Sequence, residues 1–437
     1  GAASGDGAAN KPCLVQSGAA GAASGDGAAN KPCLVQSGAA GAASGDGAAN
    51  KPRLVQSGAP GMTAWRPALL GLGGYDLAGG SLVRRWARQV DLAGPVTELA
   101  PLEPADLVLV NDGDLAYAKV RLDPGSLALA LAHVSRLDDP LARAVTWSML
   151  WDMTRDAELG AREFVTRVVQ GVAGETDSSG MQKLLEAVAT ALEFYTAPAY
   201  RVAATVQTAE RLWELTEAVQ PESDAQLQLV RAYSRHVTAE GQIDRLEEIV
   251  TGARSLTGLA IDADLAWDLM GGLVVTGRFG EERIDQQLAV DPTSRGLERA
   301  AGLRAAQPTP EAKAAAWLRA VEDPATPNET LRSVVEGWNL VRDPALLVPF
   351  IEPYFGGLER IWRTRTPQVA STIARGLYPS IAATEPGVDV VALTDQFLEE
   401  LGPELSPLRR LVAEGRDGVV RALAAQATDA AQPPLPR

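Results

Sequence analysis

Two histidines, His133 and His236, are the only imidazoles in the 437-residue sequence, and this scarcity limits the chemistry more than any other count. A zinc peptidase needs HExxH, because two histidines one helical turn apart present both rings to one ion while the glutamate activates its water. That motif is absent: Val134 follows His133, and His236 lies in a distant segment. The carboxylate at helical spacing from His236 is Glu240; a two-ligand metal site there competes with an ordinary helix-surface pair, which is the favoured reading. No GxSxG elbow occurs, and the two cysteines, Cys13 and Cys33, fall in a repetitive first stretch, so the part expected to fold has no thiol nucleophile, disulfide framework or thiolate metal site. Gly71, Gly73 and Gly74 do not complete GxGxxG, since Asp76 stands where its last glycine belongs; they read as turn glycines rather than a phosphate loop. Carboxylates are abundant, which leaves a two-carboxylate hydrolase open by counting. Consecutive pairs such as Glu247-Glu248 and Glu399-Glu400 do not converge on one helix face, however, and read as solvated surface. No residue is assigned a catalytic, cofactor-binding or metal-ligating role.

The charge balance narrows the partners. With 40 basic and 55 acidic side chains and a net charge of −15, the chain lacks the basic footprint that nucleic acid or an anionic membrane surface selects. No window reaches the ~18 consecutive apolar residues of a spanning helix, and the N-terminal residues lack the layout of a secretion signal. The expected compartment is the cytoplasm. A length with room for two or three domains and a composition 46% apolar support a sizeable core.

Residues 1–20 recur identically as 21–40 and again as 41–60, with Arg53 for the cysteine and Pro60 for the last alanine. Each unit offers only a Leu-Val pair among Gly, Ala, Ser and Asn, too little apolar surface to offset the entropy of ordering. Residues 1–61 are therefore expected to be a disordered low-complexity segment. Setting aside the four basic and three acidic side chains of 1–60 leaves 36 and 52, so the remainder is the more acidic part.

Residues 62–123 read as a small β region. Apolar runs flank Ala78-Gly79-Gly80-Ser81 as in a hairpin, and Leu107-Val108-Leu109-Val110 is expected to pair with LAYAKVRL across the turn Asn111-Asp112-Gly113-Asp114. From 124 to 425 the pattern is helical, punctuated by capping residues before prolines: Asp139-Pro140, Asp291-Pro292, Thr309-Pro310, Asp323-Pro324, Thr326-Pro327, Asp343-Pro344 and Thr366-Pro367. Thr326 and Glu329 have capping-box spacing. Roughly fifteen short helices point to an irregular array of stacked antiparallel pairs. The tryptophans, including Trp147, Trp213, Trp267, Trp317 and Trp338, read as anchors between pairs rather than an aromatic peptide groove. Residues 426–437 are expected to be a flexible tail. The fold class is thus mainly α: a HEAT-like helical array preceded by a small β region and a disordered repeat.

LVLVNDGDLAYAKVRLD at 107–123 and WSMLWDMTRDAEL at 147–159 resemble the junction between the third and fourth domains of the actinobacterial aminopeptidase N family of zinc metallo-aminopeptidases. The similarity continues through EFYTAPAYR at 193–201 and GWNLVRDPALL at 337–347. The resemblance, which covers roughly 64–425, implies the end of a β-sandwich domain followed by a C-terminal helical domain that encloses peptide substrates over a zinc site. The family's GxMEN segment and HExxH helix have no counterpart here, so no catalytic residue is transferred. Zinc belongs to the intact family and no cofactor to this chain, whose expected partners are a peptide substrate and the missing catalytic domain. Such a chain is expected to be inactive alone, as a truncated gene or miscalled start would leave it. The alternative is a free-standing helical scaffold binding a protein or peptide on its concave face.

Overall fold

The computed structural model describes residues 33–37 by their backbone alone, and residues 52–57 and 66–432 in full. It divides into two compact units, 1–156 and 157–437, so the division falls later than the 123/124 boundary expected from the sequence.

The first unit holds two sheets. β3 (Ala68–Ala78) and β4 (Ser81–Leu92) form the expected hairpin, with Gly79 and Gly80 at φ +60° and +87°, the pair of positive angles that a type I′ turn requires. β6 (Leu107–Val110) pairs antiparallel with β3, giving the order β4-β3-β6. Gly71, Gly73 and Gly74 are not turn glycines. They lie inside β3, where a Cβ would stand 1.7 Å from the Asp112 carbonyl oxygen at Gly71 and 2.2 Å from the Trp86 ring at Gly74. The space at Gly73 is taken by the Asp112 carboxylate, which accepts from Tyr75 Oη at 2.9 Å and from Arg84 at 3.0 Å.

The second sheet corrects two expectations. Two segments of the repeat are strands: β1 (Cys33–Ser37) pairs antiparallel with β2 (Arg53–Ser57), so that LVQ of one copy faces LVQ of the next. Leu54 and Gln56 of β2 turn inward, and Gln56 accepts from Arg66 N and donates to the Gly94 carbonyl. Pairing to neighbouring strands supplies what the unit's own composition could not; the other repeat residues lie outside those described. β7 (Lys119–Arg121) pairs parallel with β1, and β5 (Val96–Glu98) with β2, giving the order β5-β2-β1-β7. β6 and β7 are therefore not a hairpin. Asn111, at φ +62°, closes the intervening loop on itself through its side chain, bonded to both the N–H and the carbonyl of Ala116. The chain consequently leaves one sheet before entering the other. The unit ends with α1 (Pro124–His133) and α2 (Pro140–Arg155), each begun by an aspartate cap before proline.

The second unit is helical, and the chain as a whole is mainly α. α3 (Ala161–Gly171) and α4 (Ser178–Thr190) lead into a π-helix, Ala191–Tyr195, then α5 (Pro198–Ala218), α6 (Asp224–His236) and α7 (Glu240–Val250). α8 (Ala263–Val275), α9 (Glu281–Val290), α10 (Ser294–Ala306), α11 (Pro310–Val321) and α12 (Asn328–Asn339) follow. After a 3-10 segment come α13 (Ile351–Thr364), α14 (Pro367–Gly376), α15 (Val390–Glu400) and α16 (Ser406–Ala431). The tail expected from 426 onward is thus helical to 431.

Thr309 and Thr366 cap α11 and α14 as read from the sequence, and Asp343 caps the 3-10 segment. Elsewhere the cap oxygens are engaged by other partners. Asp291 accepts from Trp267 Nε1 and Thr293 Oγ1, leaving Thr293 to cap α10. Thr326 Oγ1 donates to Asp323, so no capping box opens α12.

The even-numbered helices form one continuous layer: α4, α6, α8, α10, α12, α14 and α16 each contact the next, and α16 returns to α3 and the π-helix. Among the odd-numbered helices close mutual contact occurs only between α3 and α5 and between α13 and α15. A layer packed at every step is the inner one of a curved array, because the outer circumference is longer. Glycines permit the tight inner spacing: a Cβ on Gly272 of α8 would lie 2.1 Å from the Ser234 carbonyl oxygen of α6, and one on Gly337 of α12 1.9 Å from that of Gly302 in α10. Between the layers Trp213, Trp267, Trp317 and Trp338 are buried, and Trp317, Trp338 and Phe350 stack at 5.2 to 6.0 Å.

Candidate functional site

The structure separates the residues the sequence offered for metal chemistry. His236 ends α6 and is buried, whereas Glu240 begins α7 and pairs with Arg278 at 2.8 Å. Burial, reinforced by the neighbouring guanidiniums of Arg235 and Arg342, pushes the His236 imidazole down to about 3. His133 ends α1, in the other unit. Among the described residues no three His, Cys, Asp or Glu side chains gather as metal ligands, so the donor set does not fit the zinc ion that the resemblance implies. Glu247 and Glu248 are taken by surface ion pairs, with Arg278 and Arg254. No helix among the described residues is long and apolar enough to cross a membrane.

What the second unit does build is a clasp and, beside it, a set of charges around Glu193. Asp429, near the end of α16, has its side chain fully buried and accepts from Arg162 N at 2.8 Å, Arg162 Nε at 3.1 Å and Ala197 N at 2.9 Å. Neither α3 nor α5 has a side-chain cap of its own, and one carboxylate from a distant helix takes that place at both N-termini, where the helix dipole favours negative charge. Arg162 returns a bond to the Asp429 carbonyl at 2.7 Å and lies over the Tyr200 ring at 3.9 Å. Gln426 donates to the Phe194 carbonyl at 2.7 Å and Thr428 to that of Ala157 at 2.8 Å. Every turn at the end of α16 is thereby tied to the beginning of the array.

The π-helix held by this clasp carries Glu193. Its wide turn is closed by Thr196, whose N–H and Oγ1 both donate to the Ala191 carbonyl, at 2.8 and 3.0 Å; such single π turns recur where a functional side chain must be presented. Glu193 makes no hydrogen bond or ion pair among the described residues. Burial raises its carboxyl, opposed by the guanidiniums of Arg235, Arg342 and Arg201. Arg201 is anchored by Nη2 to the Thr196 carbonyl at 3.2 Å, while its Nε is buried without a hydrogen-bond partner. Arg342, just after α12, donates from Nη2 to the carbonyls of Arg235 at 2.5 Å and Val237 at 3.2 Å. The Arg235 guanidinium is exposed and has no partner among the described residues. Burial pulls both Arg201 and Arg342 down, and Arg235 adds to the effect on Arg342.

α6 and α12 are not neighbours in the even-helix layer; α8 and α10 separate them one way, and α14, α16 and α4 the other. The bonds of Arg342 therefore tie the segment after α12 directly to the end of α6. Lys313 acts similarly: fully buried, its Nζ donates to the carbonyls of Ala305 and Trp338 at 2.7 and 3.1 Å, the ends of α10 and α12. Both cations satisfy terminal carbonyls and complement helix dipoles. The guanidiniums of Arg235, Arg342 and Arg201 all act on Glu193, and Arg201 is also within range of the Glu385 carboxylate.

The charges around Glu193 are not legible in the sequence residue by residue, because they come from three separate segments. They were nonetheless in view: EFYTAPAYR contains Glu193 and Arg201, and GWNLVRDPALL contains Arg342.

Comparison with known proteins agrees with these two segments. A family described as "ERAP1-like C-terminal domain" matches residues 107–421. Aminopeptidase N of Streptomyces lividans is 38% identical over 371 residues, a match that covers 84% of this chain and 43% of that protein. The chain thus spans less than half the length of this relative.

Proposed function

Because the chain belongs to the aminopeptidase N family, through its ERAP1-like C-terminal domain, we propose that its helical unit encloses the peptide substrate of a zinc aminopeptidase and contributes no catalytic residue itself. The observation that carries this reading is the continuous even-helix layer, whose last helix is returned by Asp429 to the N-termini of α3 and α5. The stacked pairs are HEAT-like in this reading, and removal of N-terminal residues is supplied by the GxMEN and HExxH elements that the sequence lacks. The purified chain, incubated with zinc, should hydrolyse no aminoacyl amide and should bind a ten-residue peptide saturably. Stoichiometric zinc with turnover would overturn the non-catalytic assignment, and absence of peptide binding would overturn the enclosing one.

A second reading, a scaffold that binds peptides for their own sake, draws on the same layer. It is favoured by the clasp's being made of this unit's own residues, which makes the array self-contained. Adding the catalytic portion of a relative separates the two: restored hydrolysis assigns the enzyme role, and unchanged peptide binding without hydrolysis assigns the scaffold.

A further inference from the structure

We propose that the strand slot between β2 and β7 is shared by two interchangeable segments of this chain, residues 33–37 and residues 13–17, so that the repeat keeps one strand in the sheet and another in reserve. The slot is an interior place in the order β5-β2-β1-β7, with a hydrogen-bonded neighbour on each side. Cys33–Ser37 fills it in the structure. Residues 13–17, which lie outside those described, carry the same sequence, CLVQS. The identity extends to the whole unit, since residues 1–20 and 21–40 match at every position. No feature of sequence lets the slot tell one segment from the other.

The register shows that the fit belongs to the repeat unit rather than to one copy of it. β1 and β2 pair antiparallel with Val35 opposite Val55, Leu34 opposite Gln56 and Gln36 opposite Leu54. These residues hold equivalent places in successive units, so the pairing is two-fold symmetric about the central valines. Moving the occupant by one whole unit restores every pair, with Val15 opposite Val55 and Cys13 opposite Ser57. The parallel pairing with β7 is restored in the same way, Cys13 taking the place of Cys33 opposite Lys119. What separates the two occupants is the length of chain that must close. Residues 38–52 join the present occupant to β2, and residues 18–52 would join the first copy. The cost of closing a loop grows only with the logarithm of its length, which favours the second copy by about fourfold. The first copy then holds the slot in about one molecule in five. A second molecule also offers an identical segment, but without the tether that keeps the copy of the same chain at high effective concentration.

Hydrogen exchange of the full chain, read by mass spectrometry at β2 and β7, tests the proposal, because the amides of these strands are freed whenever the slot empties. Proline lacks the N–H that an interior strand must donate, so Val35→Pro bars the second copy and Val15→Pro the first. Protection at β2 and β7 should fall about fivefold in Val35→Pro, as the first copy takes over, and hardly change in Val15→Pro. The double variant Val15→Pro/Val35→Pro should lose far more. Deleting residues 1–20 should make Val35→Pro as severe as the double variant, which ties the rescue to the first copy rather than to tolerance of the proline. Val35→Pro as unprotected as the double variant would overturn the proposal, since the first copy would then not enter the slot. A double variant as protected as the unaltered protein would overturn it too, since neither copy would then be needed. Protection of Val35→Pro that rises with protein concentration would assign the slot to the first copy of a second molecule and overturn exchange within the chain.

Discussion

Asp429 follows Arg162 by 267 residues, yet it accepts both the backbone N–H and the Nε of that arginine in a site closed to solvent. This pair fastens the last helix of the array to the first. Removing one partner of a buried ion pair leaves an uncompensated charge, which costs about 3–5 kcal/mol. Asp429→Ala should lose stability on that scale in urea denaturation, and Arg162→Met combined with it should lose less than the sum, because no charge then remains unpaired. A loss below ~1 kcal/mol for Asp429→Ala would mean that the clasp does not hold the array.

The inner spacing is set by backbone contact at glycine. A methyl on Gly337 would meet the Gly302 carbonyl, whereas one on Gly356 of α13 meets nothing within 4 Å. Gly337→Ala should therefore cost about 1–3 kcal/mol through overpacking. Gly356→Ala should stabilise by about 0.5–1 kcal/mol through helix propensity and chain entropy. Thermal melts of the two variants settle the comparison; shifts of the same sign would contradict it.

Lys313 is a buried cation with carbonyls for partners, and burial pulls its ammonium down to about 7. Lys313→Met would strip the ends of α10 and α12 of a donor that serves both. We expect a loss of about 2 kcal/mol, the cost of leaving buried acceptors unsatisfied, read by scanning calorimetry. Increased stability would show that desolvation of the ammonium outweighs its hydrogen bonds.

His236 gives the array a pH dependence of known sign. The folded imidazole stays neutral down to about 3, while the unfolded one takes up its proton near 6.5. Between those values the unfolded state binds more protons, so stability falls as pH drops through that window. By pH 5 the contribution of this one group is about 2 kcal/mol. His236→Gln should flatten the stability curve below pH 6.5 relative to the unaltered protein; parallel curves would place the imidazole in water.

Local signals in the sequence were read correctly where the cause was local. Asp139, Thr309 and Thr366 cap the helices whose starts they mark, and Gly79-Gly80 turns the hairpin. Partners were not legible. The runs at 107–110 and 119–121 are strands, but nothing in either says that they join different sheets. Residues 426–431 read as tail because they lack an apolar stripe. What fixes them is polar, through Gln426, Thr428 and Asp429, to groups more than two hundred residues away. The bonds of Arg342 to the carbonyls of Arg235 and Val237 were hidden for the same reason, since their partners lie more than one hundred residues apart.

The enclosing role is tested most directly by photo-crosslinking a peptide that carries a benzophenone at successive positions, followed by mapping of the adducts. Labelling should concentrate on the continuous layer of even-numbered helices, α4, α6, α8, α10, α12, α14 and α16. Adducts confined to the outer helices α7, α9, α11 and α13, or spread without regard to layer, would contradict peptide enclosure by this layer.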